Sequence, residues 1–155
     1  MDQQTLLLVH TGLSFVALAL GLVAMGAWFA PTPRIWTRAF VVMAALVVGT
    51  GFLFPLPAVT PAVAVGIVAS FVLIGMAVAR YAFHLRGIWR QVFAAGVVAS
   101  TFFLAFVTVA QAFAKLPPLK ALAPTGAEPP FAIAQGVLLI LFAWLGWKIW
   151  RRAAA

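Results

Sequence analysis

The chain has 155 residues, 66% of them hydrophobic and only 8% charged, against about 45–50% apolar and about 25% charged in soluble domains, so it reads as one integral membrane domain, 1–155, with no extramembrane module. Its net charge of +8 would point to nucleic acid in a soluble protein, but in a membrane chain it reports sidedness, and no nucleic-acid partner is expected. The absence of cysteine excludes disulfides, thiolate metal sites, iron–sulfur clusters and cysteine nucleophiles together.

The opening stretch MDQQTLLLVH places an acid, Asp2, and no basic residue ahead of its apolar run, which is the wrong pattern for a cleaved signal peptide. Residues 6–30 exceed the roughly 20 needed to cross a bilayer as a helix and predict the first span. Pro31 and Pro33 disfavour helix there and open the charged turn PTPRIWTR. A shorter second span is predicted over 39–57, followed by the uncharged link Pro55–Thr60 and by Pro61, placed as the first residue of a third span over 61–83. The turn HLRGIWRQ leads to a fourth span over 92–114. Lys115–Pro130 is the longest segment that cannot sit in hydrocarbon, with Pro117, Pro118, Pro124, Pro129, Pro130 and the second acid, Glu128. A fifth span over 131–150 runs into RRAAA. The expected fold is all-α, a bundle of five transmembrane helices.

Alternate loops differ in charge. One side gathers Arg34, Arg38, Arg80, Arg86, Arg90, Lys148, Arg151 and Arg152, the other only Lys115 and Lys120. Because cytoplasmic loops carry the excess of lysine and arginine, five spans predict a bacterial inner-membrane protein with a periplasmic N-terminus and a cytoplasmic C-terminus. On that orientation Trp36, Tyr81, Trp89, Trp147 and Trp150 stand at the inner interface among the arginines. Such a collar anchors the chain, and Arg34, Arg38, Arg80, Arg86, Arg90, Arg151 and Arg152 are candidates for the headgroups of anionic phospholipid at the cytoplasmic face. The lipid bilayer is therefore the first expected partner.

Helices in lipid pack through small residues and a few polar side chains, so the angular positions of these residues mark the bundle interior. At about 100° per residue, His10, Ser14, Ala17 and Gly21 share a face of span one; Gly66, Ser70, Ala77, Arg80 and His84 align on span three; Gly96, Ser100, Thr108 and Gln111 align on span four; Gln135 and Gly146 share a face of span five. By depth, His10, Thr50, Thr108, Gln111 and Gln135 all fall in the outer half, beside the loop that carries Glu128. These six residues either satisfy one another as a structural knot or surround a ligand.

Haem ligation by a histidine pair is excluded by depth, since His10 opens span one and His84 closes span three, about a hydrocarbon thickness apart. No carboxylate lies within a predicted span, as proton-coupled transport usually requires. Ser14 lies four residues after His10 on one face, but only Glu128, in a distant loop, could complete a hydrolytic set. No catalytic residue, metal ligand or cofactor is expected.

The segments PRIWTRAF, TGFLFP, ALAP and EPPFAIAQ resemble an uncharacterised family of small bacterial integral membrane proteins, a resemblance that implies a membrane bundle and carries no activity with it. In size, span count and orientation the chain also resembles the tryptophan-rich sensory protein (translocator protein) family, which would imply binding of porphyrins and other apolar ligands. That family's tryptophan and proline motif is missing from the first loop. Three functional readings are open to such a chain: a non-enzymatic accessory or structural subunit packing against its own copies or a larger membrane complex; a binding protein for an apolar small molecule or lipid in the outer-half pocket; and an oligomeric small permease.

Overall fold

The structure, a computed structural model, describes residues 2–55 and 61–155, leaving all of the expected link after Pro55 outside the described residues. It comprises α1 (Gln3–Gly26), α2 (Arg34–Gly51), α3 (Pro61–Ala77), α4 (Ile88–Lys115), α5 (Pro117–Leu122) and α6 (Pro129–Ala154). Among the described residues five helices are long and apolar enough to cross a membrane. The protein is an all-α multi-pass membrane protein.

α4 is the hub. It packs against α1, α3 and α6, while α2 bridges α1 and α3, so that α1 to α4 close a ring and α6 leans on α4 from outside. α4 is accordingly the most buried of the spans and α6 the least. The helices alternate in direction: the end of α4 meets the start of α6 through Phe113 and Phe131, edge to face at 5.4 Å. The start of α4 and the end of α6 both meet the end of α1, where Arg90 and Arg152 stand over the rings of Trp28 and Phe29. One end of the bundle thus holds both acids, and the other holds eight of the ten lysines and arginines.

Most of the helices run further than the apolar stretches that predict them. α2 begins at Arg34 rather than at 39, α4 at Ile88 rather than at 92, and α6 extends to Ala154. The aliphatic stems of arginine and lysine can lie in the helix surface while their charges reach the headgroups, so charge does not end a helix at the interface. The proline-rich loop is not all loop: Pro117 and Pro118 start α5, where a missing N–H costs nothing.

α3 closes differently from its expected face. Val78–Ala82 form a π-helical turn, with Phe83 N–H bonded to Val78 O at 3.2 Å and Leu85 N–H to Ala79 O at 2.9 Å. The extra residue in that turn rotates the end of the helix relative to its body, so Met76 and Ala79 are buried while Ala77 and His84 are exposed. His84 and Leu85 then adopt φ of 52° and 58° ahead of Gly87 at 54°. A left-handed backbone costs a side-chain-bearing residue about 1–2 kcal/mol, and only the glycine escapes that penalty.

Three glycines permit the helix contacts that α4 makes. A Cβ on Gly21 of α1 would come 2.5 Å from Thr101 Oγ1 and 2.9 Å from Phe40 Cε2, so α1, α2 and α4 meet at that point. Thr101 is fully buried and its hydroxyl is spent on Val97 O at 2.7 Å. Met76 of α3 lies directly over Gly96 of α4, and Ser100 donates to its sulfur at 3.8 Å. Gly146 of α6 faces Val98, whose methyl would be 3.3 Å from an added Cβ. With lipid as solvent these close approaches supply the packing energy that water would supply to a soluble core. Gly21→Val should therefore destabilise the bundle by about 1–3 kcal/mol. Gly12→Ala, where nothing lies within 4 Å, should instead be neutral or stabilising by up to about 1 kcal/mol. Thermal unfolding in detergent, followed by circular dichroism, measures both.

Candidate polar sites at the two ends

At the acidic end the six outer polar residues divide among separate places. His10 Nδ1 and Thr50 Oγ1 lie 2.8 Å apart, joining α1 to α2. The Thr50 hydroxyl also reaches Leu46 O at 2.8 Å and Val47 O at 3.1 Å. A carbonyl has no proton to give, so the hydroxyl donates to its own helix and accepts from His10 Nδ1–H. That fixes the tautomer of the neutral ring and leaves Nε2 with its lone pair. Phe54 meets the ring edge to face at 5.4 Å, and Gly51 supplies the space beside Cε1.

Gln135 belongs to a different interface. Its Nε2 donates to Phe106 O of α4 at 3.1 Å, while its buried Oε1 has no hydrogen-bond partner among the described residues. The carbonyl of Phe106 dictates that orientation, since the flipped amide would set oxygen against oxygen. Thr108 donates to Leu104 O within α4 at 2.7 Å, and Gln111 is exposed. Glu128 closes on its own turn, accepting from Thr125 N–H at 3.0 Å, Thr125 Oγ1 at 2.8 Å and Ala127 N–H at 3.1 Å. Slight desolvation pushes its carboxyl up, but these hydrogen bonds outweigh it and hold the group below the usual glutamate value. Asp2 is similarly held low by the Thr5 hydroxyl and by the Thr5 N–H that it caps. The structure therefore brings His10 and Thr50 together and places Gln135, Thr108, Gln111 and Glu128 apart from them. A cavity of about 290 Å³ does lie at this end, but Ala110, Phe113, Lys120, Thr125 and Phe131 are among its lining residues and none of the six is.

The basic end is more densely connected. Arg152 donates to Trp28 O at 3.1 Å and stands 4.5 Å over the Phe29 ring; Arg90 lies 5.5 Å over Trp28. Arg151 covers Trp147 at 5.3 Å, Lys148 covers Trp144 at 3.9 Å, and Phe83 stacks on Trp89 at 3.9 Å. Each such cation–ring contact contributes about 0.5–1 kcal/mol where exposed. Arg34, Arg38 and Arg86 are exposed, and Arg80 is half-buried in the π-helical turn. Beside this end an apolar groove of about 370 Å³ separates α4 from α6. Its small floor residues, Ala95 and Ala99 on α4 with Ala143 and Gly146 on α6, were not among the sequence candidates. Their i, i+4 and i, i+3 spacing is the signal that could have found them.

No family model, curated protein or solved structure matches the chain. Its chemistry must therefore be read from its own geometry, and the His10–Thr50 bond is the best-defined polar contact between spans. Thr50→Val, which keeps the shape and removes the acceptor, should lower stability by roughly 0.6–1.7 kcal/mol. In the wild type, nitrogen NMR of His10 should find the proton on Nδ1; a proton on Nε2 would contradict the assigned bond.

Proposed function

We propose that the protein is a non-enzymatic membrane subunit, which assembles through its outward-facing small residues with its own copies or with a larger membrane complex. The observation that carries this reading is the contrast between two sets of glycines. Gly21, Gly96 and Gly146 are consumed in packing within the chain, whereas Gly12, Gly26 and Gly49 have nothing within 4 Å of where a Cβ would be. A glycine inside an exposed helix costs about 0.5–1 kcal/mol relative to alanine and returns no packing of its own. In a bilayer its use is to let a second helix approach closely. On α1, Gly12, Ala19 and Gly26 recur every seventh residue on one exposed face, and on α2 the exposed Ala45 and Gly49 form a small-xxx-small pair. Gly12→Leu with Gly49→Leu should leave the fold intact and reduce the assembled species in sedimentation runs in mild detergent. A double variant that sediments like the wild type would overturn the reading.

The proposal includes a place and an orientation, the bacterial inner membrane with the basic end cytoplasmic, supported by the eight-to-two distribution of lysine and arginine between the ends. A chain free of cysteine is convenient for testing it. Thr125→Cys should react with an impermeant maleimide on intact spheroplasts, and Arg86→Cys only after permeabilisation; the reverse pattern would invert the topology.

A further inference from the structure

We propose that the groove between α4 and α6 is a binding site for one anionic phospholipid, with an acyl chain between the two helices and the phosphate held at the mouth by Arg151. The groove is lined almost wholly by carbon, from Ala95, Val98, Ala99 and Phe102 on one side and Leu139 to Trp150 on the other. The helical run from Leu139 to Trp150 rises about 16 Å, close to half of a hydrocarbon core of about 30 Å. The groove therefore has the depth of one leaflet. Its volume of about 370 Å³ falls in the range of small-molecule sites, and a helix about 10 Å across is too wide for it.

The mouth specifies the sign of the headgroup. Trp147 and Trp150 line the groove at the basic end, and Arg151 lies on the Trp147 ring. Both acids of the chain, Asp2 and Glu128, start helices at the opposite end, so no carboxylate of this chain balances the cations here. Some of these cations even oppose their own helices. Arg34 opens α2 and Arg90 is the third residue of α4, positions where the helix dipole disfavours positive charge by about 0.3–1 kcal/mol. Helix stability does not account for that placement, and an external anion does. Arg152 and Arg90 are engaged with Trp28 and Phe29, which leaves Arg151, beside the groove, as the cation positioned for a phosphate. A second copy inserted in the same orientation would instead bring its own cations to this mouth.

The test uses the whole chain, delipidated in neutral detergent and titrated with phosphatidylglycerol or phosphatidylcholine, with bound lipid counted by native mass spectrometry. One phosphatidylglycerol per chain should bind at least about fivefold more tightly than phosphatidylcholine. Ala143→Phe, which fills the groove from an exposed position, should abolish retention of both. Arg151→Gln, a surface change, should weaken phosphatidylglycerol about fivefold and leave phosphatidylcholine unchanged, whereas Arg34→Gln on α2 should alter neither. Equal binding of the two lipids, or equal losses from Arg151→Gln and Arg34→Gln, would overturn the site in favour of a diffuse basic collar. Unchanged retention by Ala143→Phe would place the lipid elsewhere.

Discussion

The bundle depends on close approach to one helix in a solvent that gives apolar surfaces no reason to leave it. Lipid tails are as apolar as leucine, so α4 holds its three neighbours through van der Waals contact, and each contact needs a residue without a side chain. Gly21 admits Thr101, Gly96 admits Met76, and Gly146 admits Val98. These contacts differ in how much they can yield. Met76 has a flexible side chain that can move aside, while Thr101 is fully buried with its hydroxyl committed to Val97 O. The α1–α2–α4 crossing is accordingly the most rigid point, and α6, which touches only the outer flank of α4, is the most loosely held span.

The polar groups obey the same constraint. Buried and half-buried hydroxyls on Ser14, Ser70, Thr101 and Thr108 are absorbed by carbonyls one turn earlier on their own helices, which satisfies them without joining one helix to another. Among the described residues, His10 with Thr50 and Gln135 with Phe106 carry polar bonds between spans. Charge is pushed to the ends. The two acids stand at helix N-termini, where the dipole favours them, and the cations crowd the far end over aromatic rings. A chain built in this way is cohesive in its middle and presents strong, uncompensated charge at one face.

Much of this was legible in the sequence, and the parts that were not have identifiable causes. Five spans could be read from apolar length, and the interior face of α1 from the positions of His10, Ala17 and Gly21, because a helix fixes angles between its own residues. The face of span three failed at Ala77 and His84 because a π-helical turn changes those angles, and nothing in VARYA announces it. α5 was hidden by the prolines that begin it. Thr101 and Met76 were overlooked because neither is a small residue; each is the knob that enters a glycine's space. The outer polar set was placed correctly in depth by its position along the spans, but depth does not say which helices are neighbours. His10 and Thr50 meet across α1 and α2, whereas Gln135 looks onto α4 from outside the ring.

The central claim is that this bundle is one part of a larger membrane assembly, joined through glycines that its own fold does not use. Native mass spectrometry of the protein gently extracted from its own membrane tests this most directly. The account predicts a mass that exceeds one chain by whole copies of itself or by a second polypeptide. A bare chain, or a chain carrying only lipid or another molecule of a few hundred daltons, would contradict it.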